Sequence, residues 1–131
     1  MKLKFVFWAF AAIQFLTLLA MMFSPREIAE SFGIEYSESM SVIFQFAMLT
    51  QLMLIIITSQ IPNWLGKRLG KAALTYAAIA LLPVCQNVYH IASDILPLTG
   101  AFYIENSLWI IFSVAFYLFG KRESEDVKED I

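Results

Sequence analysis

The chain has 131 residues, of which 60% are hydrophobic and only 15% charged, with a mean hydropathy of +0.69. Soluble domains carry about 45–50% apolar and about 25% charged residues, so there is too little polar surface here to coat a soluble globule, and disordered, collagen-like and coiled-coil readings fail on the same numbers. A net charge of -2 and a single cysteine, Cys85, exclude a nucleic-acid binder built on a basic face, an internal disulfide and a cysteine-rich metal site.

A hydrocarbon core about 30 Å thick needs roughly 20 apolar residues of helix, and four runs meet that length. The first, residues 5–23, follows Lys2 and Lys4 and precedes Pro25-Arg26. Around Ala20-Met21-Met22-Phe23 there is no small-x-small cleavage site, which argues for a retained span rather than a signal peptide. Next, Ser24-Pro25-Arg26-Glu27 reads as an N-cap, a proline at the first helical position and a capping glutamate. Ile28 and Phe32 then share a face and Gly33 ends the turn, which predicts a short amphipathic helix on the membrane surface or lidding the bundle. The second span, 40–61, stops at Pro62-Asn63. The third, 72–93, is the uncharged stretch between Lys71 and Asp94, and the fourth, 100–119, ends at Gly120-Lys121-Arg122. Open strands leave backbone groups unpaired in lipid, and no alternating pattern suggests a barrel, so these spans are helices. The expected fold is an all-α membrane protein: a four-transmembrane-helix bundle over residues 1–122 with a short outer amphipathic helix between helices one and two. The acidic tail, 123–131, has little to bury and is expected to be disordered.

Of the nine Lys and Arg residues, all but Arg26 fall on one side of this layout. The positive-inside rule therefore places both termini in the cytoplasm. Trp8, Trp64, Tyr76 and Tyr117 fall near the inner interface and Tyr36, Tyr89, Tyr103 and Trp109 near the outer one, as an aromatic belt requires.

Polar side chains are costly within a bilayer and by default face the bundle interior. At 100° per residue, Tyr76, Pro83, Gln86, Asn87, His90 and Asp94 occupy about a third of the third helix's circumference. Pro83 cannot donate to the carbonyl of Ile79, which predicts a kink near mid-membrane. His90 lies roughly one turn inside Asp94, and Asn87 one turn deeper. On the fourth helix, Asn106 to Gly120 is about 15 residues, roughly 22 Å, too short to span unaided, so Glu105 is drawn inward. Gln45 sits at a similar level. His90, Glu105, Asn87, Asn106 and Gln45 thus converge on one layer in the outer half of the bundle, with Gln86 and Asp94 beside it, as in an outward-opening ligand pocket. Gln14 and Gln51 lie nearer the middle, where hydrogen-bonded helix association explains them equally well. A local His90–Asp94 bond and a snorkelling Glu105 are the structural alternatives for those groups.

Other chemistry has little support. His90-x-x-x-Asp94 with Glu105 is a thin basis for a metal site, and no phosphate loop, nucleophile elbow or HExxH is present, so no cofactor is called for. Cys85 falls away from the polar stripe and reads as a buried apolar cysteine. Phe32-Gly33-Ile34-Glu35-Tyr36-Ser37 echoes Phe102-Tyr103-Ile104-Glu105-Asn106-Ser107, a pattern that duplicated helical hairpins would leave.

The first span ending in Ser24-Pro25, the capped helix closing with Phe32-Gly33 and the basic turn at Lys67-Arg68 resemble the DoxX-like superfamily of small four-helix membrane proteins. The resemblance implies a compact left-handed bundle, sometimes linked to quinone-coupled oxidation complexes or acting as an accessory subunit or chaperone. It transfers no catalytic residue. The expected function is a non-enzymatic binding or accessory protein for an amphipathic ligand such as a lipid, isoprenoid or quinone. Its expected partners are membrane lipids, that small molecule or a larger membrane complex, with no role for nucleic acid. The alternative is an acid–base enzyme, such as an isomerase of a lipophilic substrate, using His90 and Glu105 as a proton-sharing pair.

Overall fold

Apolar chain without water to solvate its backbone closes hydrogen bonds locally, and the runs identified above do so as helices. The computed structural model describes residues 2–129, with side chains through Asp126, and among these residues there is no strand. The helices are α1 (Leu3–Phe23), α2 (Pro25–Ser31), α3 (Glu38–Leu65), α4 (Leu69–Ile79), α5 (Leu81–Ala92) and α6 (Gly100–Glu129), with a 3-10 turn at Gly66–Arg68. Three continuous helical segments are long and apolar enough to cross a membrane: Leu3–Phe23, Glu38–Ala92 and Gly100–Asp126.

The middle segment is not one rod. Thr58 Oγ1 and Tyr76 Oη lie 2.9 Å apart although 18 residues separate them, a distance of about 27 Å along a straight helix. The chain turns back at Gly66, whose φ of 46° suits glycine. Cross-links at matched levels show that successive limbs run antiparallel. Gln51 of α3 donates to Gln14 of α1, Ser113 of α6 donates to the Ala77 carbonyl of α4 at 2.7 Å, and Asn87 of α5 meets Glu105 and Asn106 of α6.

Two kinds of packing hold the limbs together. Where α1, α4 and α6 meet, Phe7, Phe10 and Phe116 are buried with Tyr76, Trp109 and Phe112 around them. Their rings meet mostly edge to face, with Phe7–Phe116 centroids 4.8 Å apart and Phe10–Phe112 5.1 Å, contacts worth about 0.5–1.5 kcal/mol each beyond area burial. Between α4 and α6 the seam is made of small residues. A Cβ on Gly120 would lie 2.8 Å from the Ala73 Cβ and 3.1 Å from the Gly70 carbonyl oxygen. Backbones that close need glycine, and close approach is how helices associate in lipid.

The outer face is apolar. On α3, Val42, Ile43, Phe46, Leu49, Met53, Ile56 and Ile57 are exposed, while Thr58 is its one buried residue among those described. So much exposed apolar surface suits a lipid surrounding rather than water.

The expected helix α2 forms with Pro25 at its first position, but the Ser24 side chain makes no cap bond; Ile28 N–H instead bonds the Ser24 carbonyl, so the capping box is absent. Gly33, at φ 75°, ends α2 as predicted: Gly33 N–H bonds the Glu30 carbonyl and Ile34 N–H that of Ala29, a Schellman closure. The helix expected to stop at Ile61 continues through Pro62 to Leu65, since a proline in the last turn forfeits only the bond to the Thr58 carbonyl. α6 likewise continues past Phe119 to Glu129, so residues 123–129 of the expected disordered tail are helical; no Pro or Gly interrupts them, and a Lys121–Glu125 pair at 4.0 Å flanks their start. Residues 130–131 of that tail lie outside the described residues. Cys85 is exposed rather than buried, because the side of α5 away from the polar stripe carries no neighbouring helix. Two expected belt residues lie inside instead: Tyr76 bonds Thr58 within the core, and Trp109 donates to Glu105.

Candidate functional site

The predicted kink creates the site. With Pro83 unable to donate, the third limb breaks at Ala80 into α4 and α5. α4 packs against both α1 and α6, whereas α5 packs mainly against α6. The space that α4 fills in one half of the bundle is therefore open between α1 and α5 in the other. A cavity of about 790 Å³ occupies it, bounded by α1, α3, α5 and α6 and reached by α2 through Ile28, Ser31 and Phe32.

Most of its wall is apolar, including Phe10, Leu16, Met21, Phe44, Ile104 and Phe112. Set into that wall are Gln14, Thr17, Gln51, Gln86, Asn87, His90 and Glu105. The Glu105 carboxylate accepts from Asn87 Nδ2 and from Trp109 Nε1, each at 3.4 Å. Asn87 Nδ2 also reaches Asn106 Oδ1 at 3.4 Å, and Asn106 Nδ2 donates to the Phe102 carbonyl at 2.7 Å. Across the cavity, Gln51 Nε2 donates to the Gln14 carbonyl at 2.9 Å and to its Oε1 at 3.2 Å.

Of the residues predicted for the site, Gln86, Asn87, His90 and Glu105 line this one cavity. Asn106 is buried behind it, holding Asn87. Gln45 is exposed on α3 and takes no part: it lies six residues from Gln51, about 120° away around the helix, so matched depth did not bring it to the same face. Asp94 is also exposed and makes no bond to His90 among the described residues. Its place is structural. At φ 54° it terminates α5, with Asp94 N–H on the Ile91 carbonyl and Ile95 N–H on that of His90 at 2.9 Å, a second Schellman closure that Asp tolerates better than most residues. No hydrogen bond joins His90 to Glu105 among the described residues; the carboxylate's partners are Asn87 and Trp109.

No family model, curated protein or solved structure matches this chain. The cavity's assignment therefore rests on its own geometry.

Three wall residues escaped the site prediction. Gln14 and Gln51 were legible as helix-joining amides, and they do join α1 to α3, but they also face the cavity. The signal was periodic: Phe44, Gln51 and Thr58 recur every seven residues and so share the inward line of α3. Trp109, four residues after Glu105, sits directly above it on one helical face and carries a ring N–H that a buried indole must place. The echo between residues 32–37 and 102–107 has no structural counterpart, since the first is the connection into α3 and the second lies within α6.

Proposed function

We propose that this chain is a four-pass integral membrane protein whose cavity binds an amphipathic small molecule of the lipid, isoprenoid or quinone class, as a binding or accessory protein. The cavity carries this reading. The space of some 790 Å³ opens to its surroundings, so it admits an occupant and is not a sealed void. Lipid tails alone would leave Gln86, His90 and the remaining amide donors facing hydrocarbon, a costly arrangement. An occupant with both an apolar body and a polar end satisfies both parts of the wall, and the volume falls within the usual range of small-molecule sites, about 300–1,000 Å³.

The four-pass topology draws support from the reversal at Gly66 and from charge. Lys2, Lys4, Lys67, Arg68, Lys71, Lys121 and Arg122 all belong to the end of the bundle opposite α2, and Lys2 shares a surface cleft with Arg122. In this reading that end is cytoplasmic and the cavity opens toward the outer leaflet. The resemblance of the sequence to the DoxX-like superfamily would suit an accessory role.

Purification in mild detergent followed by extraction and mass spectrometry tests the proposal: one amphipathic species should be enriched far above its share of bulk lipid, and Asn87→Leu should deplete it. Only bulk-proportioned lipid in both proteins would refute it. Labelling of a cysteine placed at Ser37, with Cys85 replaced, should occur in intact cells without permeabilisation. The acid–base reading retains one observation in its favour, that His90 and Glu105 line the same cavity; it requires a turnover that His90→Gln and Glu105→Gln both abolish while thermal stability is unchanged.

A further inference from the structure

The cavity wall is electrically one-sided. Among the described residues that line it, Glu105 is the only acidic side chain and there is no Lys or Arg. The other Lys and Arg residues whose side chains are described belong to the far end of the bundle, and Arg26, on α2, lies 3.9 Å from Glu30 and over the Tyr36 ring. A ligand with a phosphate or carboxylate head would therefore meet the Glu105 carboxyl group with no Lys or Arg beside it.

The hydrogen-bond inventory points the same way. A carboxylate offers about four acceptor positions. Two are met, by Asn87 Nδ2 and Trp109 Nε1, both at 3.4 Å, which is long beside the 2.7–2.9 Å typical of charge-assisted bonds. Neither donor carries a charge, and His90, the one candidate cation on the wall, makes no bond to the carboxylate among the described residues. Two acceptor positions are left facing a largely apolar space, whose aromatic members Phe10, Trp109 and Phe112 also favour a cation near their faces.

We infer that the cavity selects amphiphiles with a protonated primary amine as head group, Glu105 accepting the ammonium N–H bonds while the alkyl body lies along α1 toward α2. From Phe10 to Met21 the α1 wall offers about 16 Å of mostly apolar length. This inference rests on the ligand-binding reading above and sharpens it to one head-group chemistry.

Three probes with the same twelve-carbon chain test it: dodecylammonium, dodecanol and dodecanoate, titrated into the detergent-solubilised full chain. In a Trp8→Phe, Trp64→Phe background the remaining indole is Trp109, on Glu105 itself, so its emission reports occupancy of this cavity and not partition into the micelle. Dodecylammonium should bind about tenfold more tightly than dodecanol, the gain expected when a neutral hydrogen bond becomes a charge-assisted one, and dodecanoate should be the weakest. Glu105→Gln should reduce the ammonium-to-alcohol ratio to near one, and Glu105→Asp should retain the order. Dodecanol or dodecanoate binding as tightly as dodecylammonium would overturn the head-group assignment and leave the binding reading in place. If none of the three moves the Trp109 signal or saturates, both fall. The comparison of the three probes in the double-Phe background with Glu105 intact decides the matter even if the Glu105 variants do not fold.

Discussion

The α4–α6 seam makes a prediction in which one substitution has opposite signs at two places on the same helix. Gly120→Ala adds a Cβ that would lie 2.8 Å from the Ala73 Cβ and 3.1 Å from the Gly70 carbonyl oxygen. Neither neighbour can yield by rotating a side chain, because one is the first side-chain atom of alanine and the other is backbone. The helices must part, and overpacking of this kind costs about 1–3 kcal/mol. Against that stands the gain of replacing a helical glycine by alanine, about 1 kcal/mol. Gly100, at the start of α6, has nothing within 4 Å of its notional Cβ, so Gly100→Ala should collect some of the gain without the clash. The two variants should therefore differ by about 1–3 kcal/mol, with Gly120→Ala the less stable. Thermal unfolding in a single detergent, followed by helical circular dichroism, supplies the comparison. Equal midpoints, or a more stable Gly120→Ala, would refute the close crossing of α4 and α6.

Other positions give independent checks. Gly33 has φ 75°, and a Cβ there would collide with the Pro97 ring, so Gly33→Ala should cost about 1–2 kcal/mol from conformation alone, measurable by the same melts, and should loosen the end of the cavity, seen as faster protease nicking near Pro97. The Thr58–Tyr76 bond closes the turn between α3 and α4 at 2.9 Å; Thr58→Val or Tyr76→Phe singly should cost about 1–3 kcal/mol by stranding a polar partner, and the double variant should cost less than the sum, which a double-mutant cycle reads directly. Gln51→Leu should cost about 0.6–2 kcal/mol, the worth of an interhelical side-chain bond in a membrane, while Gln45→Leu, on the exposed side of α3, should leave the melting midpoint unchanged.

Most of the fold was legible because its strongest signal, apolar run length, is also what a low-dielectric surrounding enforces. The breaks were legible for a related reason: Pro83 removes a donor and Gly33 permits a positive φ wherever they stand. What eluded prediction was azimuth. Depth placed Gln45, Asn87, His90 and Glu105 in one layer, but depth is a coordinate along the bundle, and a site also needs every member turned inward. Gln45 fails that condition while Gln51, six residues further along, meets it. Asp94 misled for another reason. A charge four residues after His90 looks like a partner, yet the helix has ended by then, and a residue in the left-handed region no longer lies above the one four before it. The helicity of residues 123–129 escaped because acidic composition was weighed without the neighbour: Ser124 lies against Gly70 on α4, so the helix is still packed where its surface has become polar.

The closed and open halves of the bundle follow from one stripe of residues. Along the third limb the positions facing its neighbours begin with Gly70, Ala73, Ala77 and Ala80, all buried. Such small residues bring α1 and α6 into contact through and around them, and the aromatic core forms beside that contact. One turn beyond Ala80 the same line reaches Val84 and then Asn87, larger and polar, just where Pro83 has already bent the chain. Asn87 finds its hydrogen-bond partners on α6, in Glu105 and Asn106, and this holds α5 against α6. α1 offers at that level apolar groups, a Gln14 that already accepts from Gln51, and Thr17, whose hydroxyl donates to the Ile13 carbonyl of its own helix. The polar residues thus keep α5 on α6 beyond the Pro83 break, and they line the cavity that the break opens. They commit α5 to one neighbour and leave space beside the other, and the side chain that anchors α5 to α6 is the carboxylate a ligand would meet. Asn87 holds α5 on α6 through two acceptors, the Glu105 carboxylate and Asn106 Oδ1, so the half-helix keeps one anchor if the other is lost.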